Sequence, residues 1–325
     1  MSERKTGLVV LYNHNYERNI ENVRAVYHGR FSEMRQIMPF YYGSDPEVIR
    51  VFGHSFRFHS YIAQAREKLM QMDCDDFLII GDDVLLNPAI NEHNTLEMLH
   101  MEPGSFYMDV LVDIAQGRST RAIKEVQNFS TKSPGLDASA SRIMPSYEEA
   151  VSILSEKGVF TGTELAKYTP FYLPLLRPFL RNARKNLGHM KSNIVQLCMK
   201  YRYRLSPRKM AYPCVMGYSD LLVIPKGRMC ELCNYLEVLD TWRVFVELAI
   251  PTAISLLKDA KIHVSDECEL KSGNVFFPPG AKHHYEMLKV IDAFYAKLGG
   301  DMGRIPEEFP SKYLYLHPVK FSRFQ

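Results

Sequence analysis

The stretch "DDFLIIGDDVLLNP", residues 75–88, sets an apolar run against two adjacent carboxylates, then a second apolar run closed by asparagine and proline. An unbroken apolar run of this length, bounded by charges, reads as a buried parallel strand. At its end Asp82 and Asp83 repel one another, so the pair needs solvent, a cation or a partner. A turn in which aspartate caps a helix or closes an Asx loop would also use such a pair.

The segments before it supply the rest of the pattern. "GLVVLY" (7–12) is a first apolar strand followed by the loop "NHN", and "YERNIENVRAVYHGRF" carries helical spacing through Ile20, Val23, Val26 and Tyr27. "MRQIMPFYYG" and "VIRVFG" read as two further strands, and "RFHSYIAQAREKLMQM" as a second helix. Strand, helix, strand, strand, helix, strand predicts an α/β fold: a mostly parallel open sheet with helices on both faces. Ligands of such sheets sit beyond the carboxyl ends of the strands, where both "YNHN" and "GDD" fall.

Three regions are expected. Residues 1–98 form the α/β half. Residues 99–210 read as a helical, basic lobe, including a helix at "SYEEAVSILSEKG" with Ser146 as N-cap and Gly158 as terminator. Residues 211–325 complete the same domain. There "CVMGYSDLLVIPKG" reads as two strand-like runs around a turn at Gly217–Asp220, followed by helices, a late strand "KIHV" and the tail "SKYLYLHPVKFSRF".

The 325-residue chain suits one large domain or two that share a core, and its composition is that of a soluble globular protein. The longest apolar run, "VFVELAIPTAISLL", contains Glu247 and Pro251 and reads as a buried helix rather than a membrane span. The charged "MSERKTG" leads directly into a strand, so no signal peptide is expected. Six cysteines without disulfide spacing fit reduced thiols and a cytoplasmic location. From Leu165 to Ser219 there is no acidic residue, while lysines, arginines and aromatics alternate. A solvated helix face normally mixes both signs. This block, 177–209 above all, suits an anionic partner: a phosphate-bearing acceptor, anionic lipid headgroups at the inner face of the membrane, or nucleic acid.

Asp82 and Asp83, on a rigid strand end, could hold a hard divalent cation through oxygen. His317 could complete such a site and Lys320 neutralise phosphate oxygens, although a polar surface loop would contain the same residues. Glu247 interrupts the most apolar helix, where a carboxylate is either paired or put to use. Asp220 could contact a substrate hydroxyl or cap a turn. Cys230 and Cys233 form a CxxC without a second ligand pair and fit helix packing better than zinc. No Walker loop or G-x-G-x-x-G is present, which argues against P-loop and Rossmann dinucleotide chemistry.

The initial strand with "YNHN", the strand ending in "FLIIGDDVLLNP" and the late "HPVK" together resemble bacterial glycosyltransferases of the GT-A fold, of the surface-polysaccharide type. The resemblance covers 7–90, 211–257 and the tail. It implies Mn²⁺ or Mg²⁺ at a DxD-like motif, here with glycine at 81 in place of the first acid. Asp83 and His317 would be the metal ligands. Tyr12, Asn13, Asn15, Gln64, Asp82 and Lys320 would contact the nucleotide-sugar, a UDP-sugar being favoured. Glu247 would be the acceptor-activating base of an inverting enzyme, with Asp220 as a second catalytic carboxylate. The acceptor would be a glycan or a lipid-linked sugar, and nucleic acid is not an expected partner. Sugar transfer does require a stabilised diphosphate leaving group and, for inversion, a general base. Two other readings stay open: a nucleotidyltransferase with the same metal site, and a non-catalytic protein that binds nucleic acid or a membrane surface.

Overall fold

The computed structural model describes residues 4–114, 125–126, 129–131, 140, 142–162, 210–275 and 282–324. The basic region 177–209 and the helix expected at "NARKNLGHMKSNIVQLCMKYRYRL" lie outside them.

The fold is α/β, with a seven-stranded open sheet flanked by helices. Its strands are β1 (Thr6–Leu11), β2 (Met34–Pro39), β3 (Val48–Val51), β4 (Asp76–Gly81), β6 (Phe106–Val112), β7 (Met216–Pro225) and β8 (Ile262–His263), in the order β3-β2-β1-β4-β7-β6-β8. β1 to β4 are mutually parallel, and β6 is parallel to β8. β7 alone runs the other way, antiparallel to β4 and β6. A second, two-stranded sheet pairs β5 (Leu85–Leu86) with β9 (Tyr315–Leu316).

Period-two alternation sends successive strand residues to opposite faces, so each strand feeds two cores. Val9, Phe77, Ile79, Leu222 and Ile224 pack with α2 (His59–Leu69), α5 (Met229–Thr241) and α6 (Val246–Leu256). Leu8, Val10, Leu78, Ile80 and Val223 pack with α1 (Ile20–Tyr27), α7 (Lys282–Leu298) and the tail. Residues buried on both faces explain why the strands read as continuous apolar runs. The short α3 (Thr95–Met98) and α8 (Ile305–Glu308) lie beside the second core. α4 (Tyr147–Glu156) starts at a capping box in which Ser146 and Glu149 exchange hydrogen bonds, and its chain turns at Gly158 with φ +70°. Among the described residues no helix is long and apolar enough to cross a membrane.

Two sequence expectations are corrected. The region after residue 99 is not purely helical, because β6 is an interior strand of the main sheet. Asp109 disguises it in the sequence, sitting where the β6–β7 register shifts between Met108 and Val110. The second correction is that 216–225 is one strand of ten residues, not two runs around a turn. Gly217 is there for proximity: a Cβ would stand 2.3 Å from the Val110 carbonyl oxygen. Asp220 therefore projects from a strand.

Candidate active site

Strand geometry assembles the site. Leu11 pairs with Gly81 at the carboxyl ends of β1 and β4, so Asn13 and Asp82 emerge side by side. Because β7 is reversed, Asp220 precedes Leu221, the partner of Ile80, and reaches the same edge. Leu85 pairs with Leu316, which draws the tail back across the sheet end and sets His317 beside Asp83.

His317 is 3 % exposed at its side chain and Asp83 is 30 % exposed, so the carboxylate opens to the crevice and the imidazole backs it. His317 Nε2 lies 3.1 Å from Asp83 Oδ1. On the other side of the ring, Nδ1 faces Asn274 Oδ1 at 3.3 Å and Asp220 Oδ2 at 3.9 Å. Burial pulls the imidazole pKa down, but the charges of Asp220, Asp83 and Asp109 outweigh it and raise it to about 9. The Asp220 carboxyl is itself raised, first by burial, with the His317 charge opposing and Asp83 assisting.

Asp82 turns inward. Its Oδ1 accepts from the Asn13 backbone N–H and side-chain amide, both at 3.2 Å, and its own N–H donates to the Leu11 carbonyl at 2.9 Å. Burial and the neighbouring Asp83 charge push its pKa up to about 7. The adjacent pair is thus split in character: one acid buried and easily protonated, the other open.

The remaining predicted residues are distributed as follows. Lys320 is exposed on the rim, one residue after Val319, whose N–H donates to the Asp83 carbonyl at 2.7 Å. Glu247 stands in the first turn of α6, and its charge acts with that of Asp220 to raise the Tyr218 pKa, whose largest cause is burial. Tyr12 is fully buried and donates its hydroxyl to Gln36 Oε1 at 2.6 Å, so its ring is not available to a nucleotide base. Gln64 is exposed on α2. Its amide closes on the Phe52 backbone, accepting from N–H at 2.9 Å and donating to the carbonyl at 2.8 Å. Asn15 is exposed and donates to the Phe40 carbonyl at 2.7 Å.

The sequence reading missed the group that fixes His317. Asp109 Oδ2 accepts from the Tyr315 hydroxyl at 2.6 Å and from Ser272 Oγ at 2.9 Å. Tyr315 lies two residues before His317, so Asp109 anchors the tail to β6. The segment beside the tail needs glycine at 273, where a Cβ would stand 1.8 Å from the Tyr315 carbonyl oxygen. His317 N–H donates to the Gly273 carbonyl at 3.1 Å, and Val275 N–H to the His317 carbonyl at 3.0 Å. Only the aspartate within an otherwise apolar run, "FYMDVLV", hinted at this role.

Asp83 and His317 are of the ligand types that a divalent cation takes. Two ligands each about 2.1 Å from one ion and at right angles stand about 3 Å apart, close to the Asp83–His317 separation. No group of three or more His, Cys, Asp or Glu side chains is poised to hold a metal alone among the described residues. Mg²⁺ commonly relies on one or two protein ligands and completes its shell with water and substrate phosphates. Asn274, behind the imidazole, provides an acceptor for Nδ1 that would orient Nε2 toward a cation.

No protein-family model matches the chain, and no curated protein matches it.

Proposed function

We propose that this protein is a metal-dependent glycosyltransferase that moves a sugar from a nucleoside diphosphate donor, a UDP-sugar being favoured, to a hydroxyl of a glycan or lipid-linked acceptor. The observation that carries this reading is the meeting of Asp83 and His317 at 3.1 Å, beyond the carboxyl ends of β1 and β4. Open α/β sheets bind ligands at that position.

Asp83 and His317 would hold Mn²⁺ or Mg²⁺, which supplies positive charge to the departing diphosphate. Lys320 on the rim adds a mobile cation for the same phosphates. Asp82, fixed by Asn13, offers a carboxyl that changes protonation near neutrality and can hold a ribose or sugar hydroxyl. Glu247 is the general base for the acceptor hydroxyl. Asp220 reinforces the orientation of His317 and keeps the crevice negative. Membrane association through 177–209 and a role in surface-polysaccharide synthesis belong to this proposal.

Calorimetric titration of UDP with and without Mg²⁺, then UDP release from a panel of UDP-sugars with Mn²⁺, tests it. Metal-dependent nucleotide binding that Asp83→Ala abolishes is the expected result. Wild-type protein that binds no nucleotide, or an Asp83→Ala variant that binds it equally well, sinks the proposal.

A further inference from the structure

Four of the seven large apolar side chains exposed among the described residues gather in one place: Phe40, Tyr42, Phe52 and Phe56. They lie on the short loops that follow β2 and β3. Phe40 and Phe52 meet edge to face at 5.7 Å, and Arg50 lies over both Tyr42 and Phe52, 5.6 and 5.8 Å from the ring centres. His54 meets Phe56 at 6.0 Å, and Phe56 meets Phe245 at 6.2 Å. Phe245 stands two residues before Glu247. Two ring groups follow one another along the chain, Tyr42–Arg50–Phe52–Phe40 and then His54–Phe56–Phe245, and the second reaches the N-cap of α6. It ends in a cleft of about 420 Å³ lined by His54, Phe56, Arg57, Glu125, Arg243 and Phe245.

The line is held in place. Phe40 has φ +54° and Arg243 φ +60°, the left-handed region that non-glycine residues rarely adopt. Such strain persists where surrounding structure enforces it, and it concentrates at functional sites. The Phe40 carbonyl is latched by Asn15, and Phe52 is gripped on both backbone atoms by Gln64. These hydrogen bonds fix the backbone from which the exposed rings project.

We propose that this track is the acceptor platform and that its occupant is a carbohydrate chain, with sugar C–H faces on the rings and hydroxyl edges toward Arg50, His54 and Arg243. Sugars alternate apolar faces with polar rims, and the track alternates rings with donors in the same way. A lipid chain would leave Arg50 and the polar cleft unmatched. The direction of the chain toward Glu247 rests on the glycosyltransferase reading, while binding along the rings does not.

Cellohexaose, maltohexaose and chitohexaose are each titrated against wild-type protein, Phe52→Ala and Phe56→Ala, with Mg²⁺–UDP titrated in parallel. Both rings are about half exposed, and unchanged thermal unfolding verifies that the variants fold. At least one oligosaccharide binds the wild type, and each variant weakens it about tenfold while Mg²⁺–UDP affinity stays constant. Binding of none of the three, or affinities untouched by both substitutions, overturns the platform. So does a loss seen only in co-sedimentation with anionic phospholipid vesicles, which would assign the rings to a membrane. If the wild type binds sugar but no Mg²⁺–UDP, the platform stands and the transferase reading falls.

Discussion

His59, the first residue of α2, makes a sharp test of how this protein handles buried charge. Its side chain is completely buried, and neither ring nitrogen has a hydrogen-bond partner. The nearest acid, Asp240, lies 3.7 Å from Nε2 but is already engaged by Arg57, whose Nε donates to it at 2.8 Å. Burial first, then the positive neighbours Arg57 and His54, lower the imidazole pKa from 6.5 to about 3. The native ring stays neutral down to that pH, whereas the unfolded chain takes up the proton below 6.5. Stability is therefore intact above pH 6.5 and is lost as pH falls towards 3, at about 1.4 kcal/mol per unit. The loss reaches about 2 kcal/mol at pH 5 and about 5 kcal/mol in full. Urea unfolding of wild type and His59→Leu at pH 7.5 and pH 5 isolates this contribution, since acids common to both proteins cancel in the difference. The variant should gain about 2 kcal/mol on the wild type between the two pH values. An unchanged difference would falsify the reasoning, and a shift in favour of the wild type would mean that an imidazolium–Asp240 pair prevails.

Other outcomes follow from the tail anchor and the crevice. Tyr315→Phe removes one of two hydroxyl donors from the buried Asp109 carboxylate and should cost about 1.5–3 kcal/mol in urea unfolding; a loss below about 0.5 kcal/mol would show that Asp109 does not depend on it. Gly273→Ala places a methyl group against the Tyr315 carbonyl and displaces the tail that carries His317, so under the proposed function Mg²⁺–UDP affinity should fall. Unchanged affinity would mean that the tail tolerates displacement. Gly217→Ala should loosen the β6–β7 pairing and accelerate hydrogen exchange along both strands, because its Cβ meets the Val110 carbonyl. Protection equal to wild type would refute that close approach.

The parts of the fold legible in the sequence are those with an uninterrupted period. β1 and β4 show themselves as apolar runs because both faces are covered, and α4 because its capping box is local in sequence. β6 is obscured by Asp109, a buried carboxylate whose partners Ser272 and Tyr315 lie far along the chain. β7 looks broken because Gly217 and Asp220 imitate turn residues, yet one admits a neighbouring backbone and the other faces the crevice. Asp83 and His317 are linked in the sequence by the chemistry of a metal site and by the resemblance, not by any local signal. Their meeting depends on β5 and β9, strands of two residues each, too short to leave any periodicity. Tyr12 has the chemistry of a ligand contact, and only its three-dimensional partner and its burial reveal that the frame uses it.

The reversed strand β7 is what makes a concentrated acidic crevice possible. Parallel strands alone would bring Asp82 and Asp83 to the sheet end, while the antiparallel insertion adds Asp220 at the same edge. Asp109, on β6, then acts on the same imidazole. Three acids, Asp220, Asp83 and Asp109, bear on a single buried histidine, an arrangement that apolar residues would replace at lower cost if stability were its only purpose. Without a cation, protons moderate the repulsion: His317 retains one up to about pH 9, and Asp82 titrates near 7. A divalent ion would bring two positive charges to the open carboxylate of Asp83 and displace the proton on His317. The adjacent aspartates thus differ in orientation, Asp82 inward to Asn13 and Asp83 open to solvent, with the protonated His317 supplying the positive charge beside Asp83.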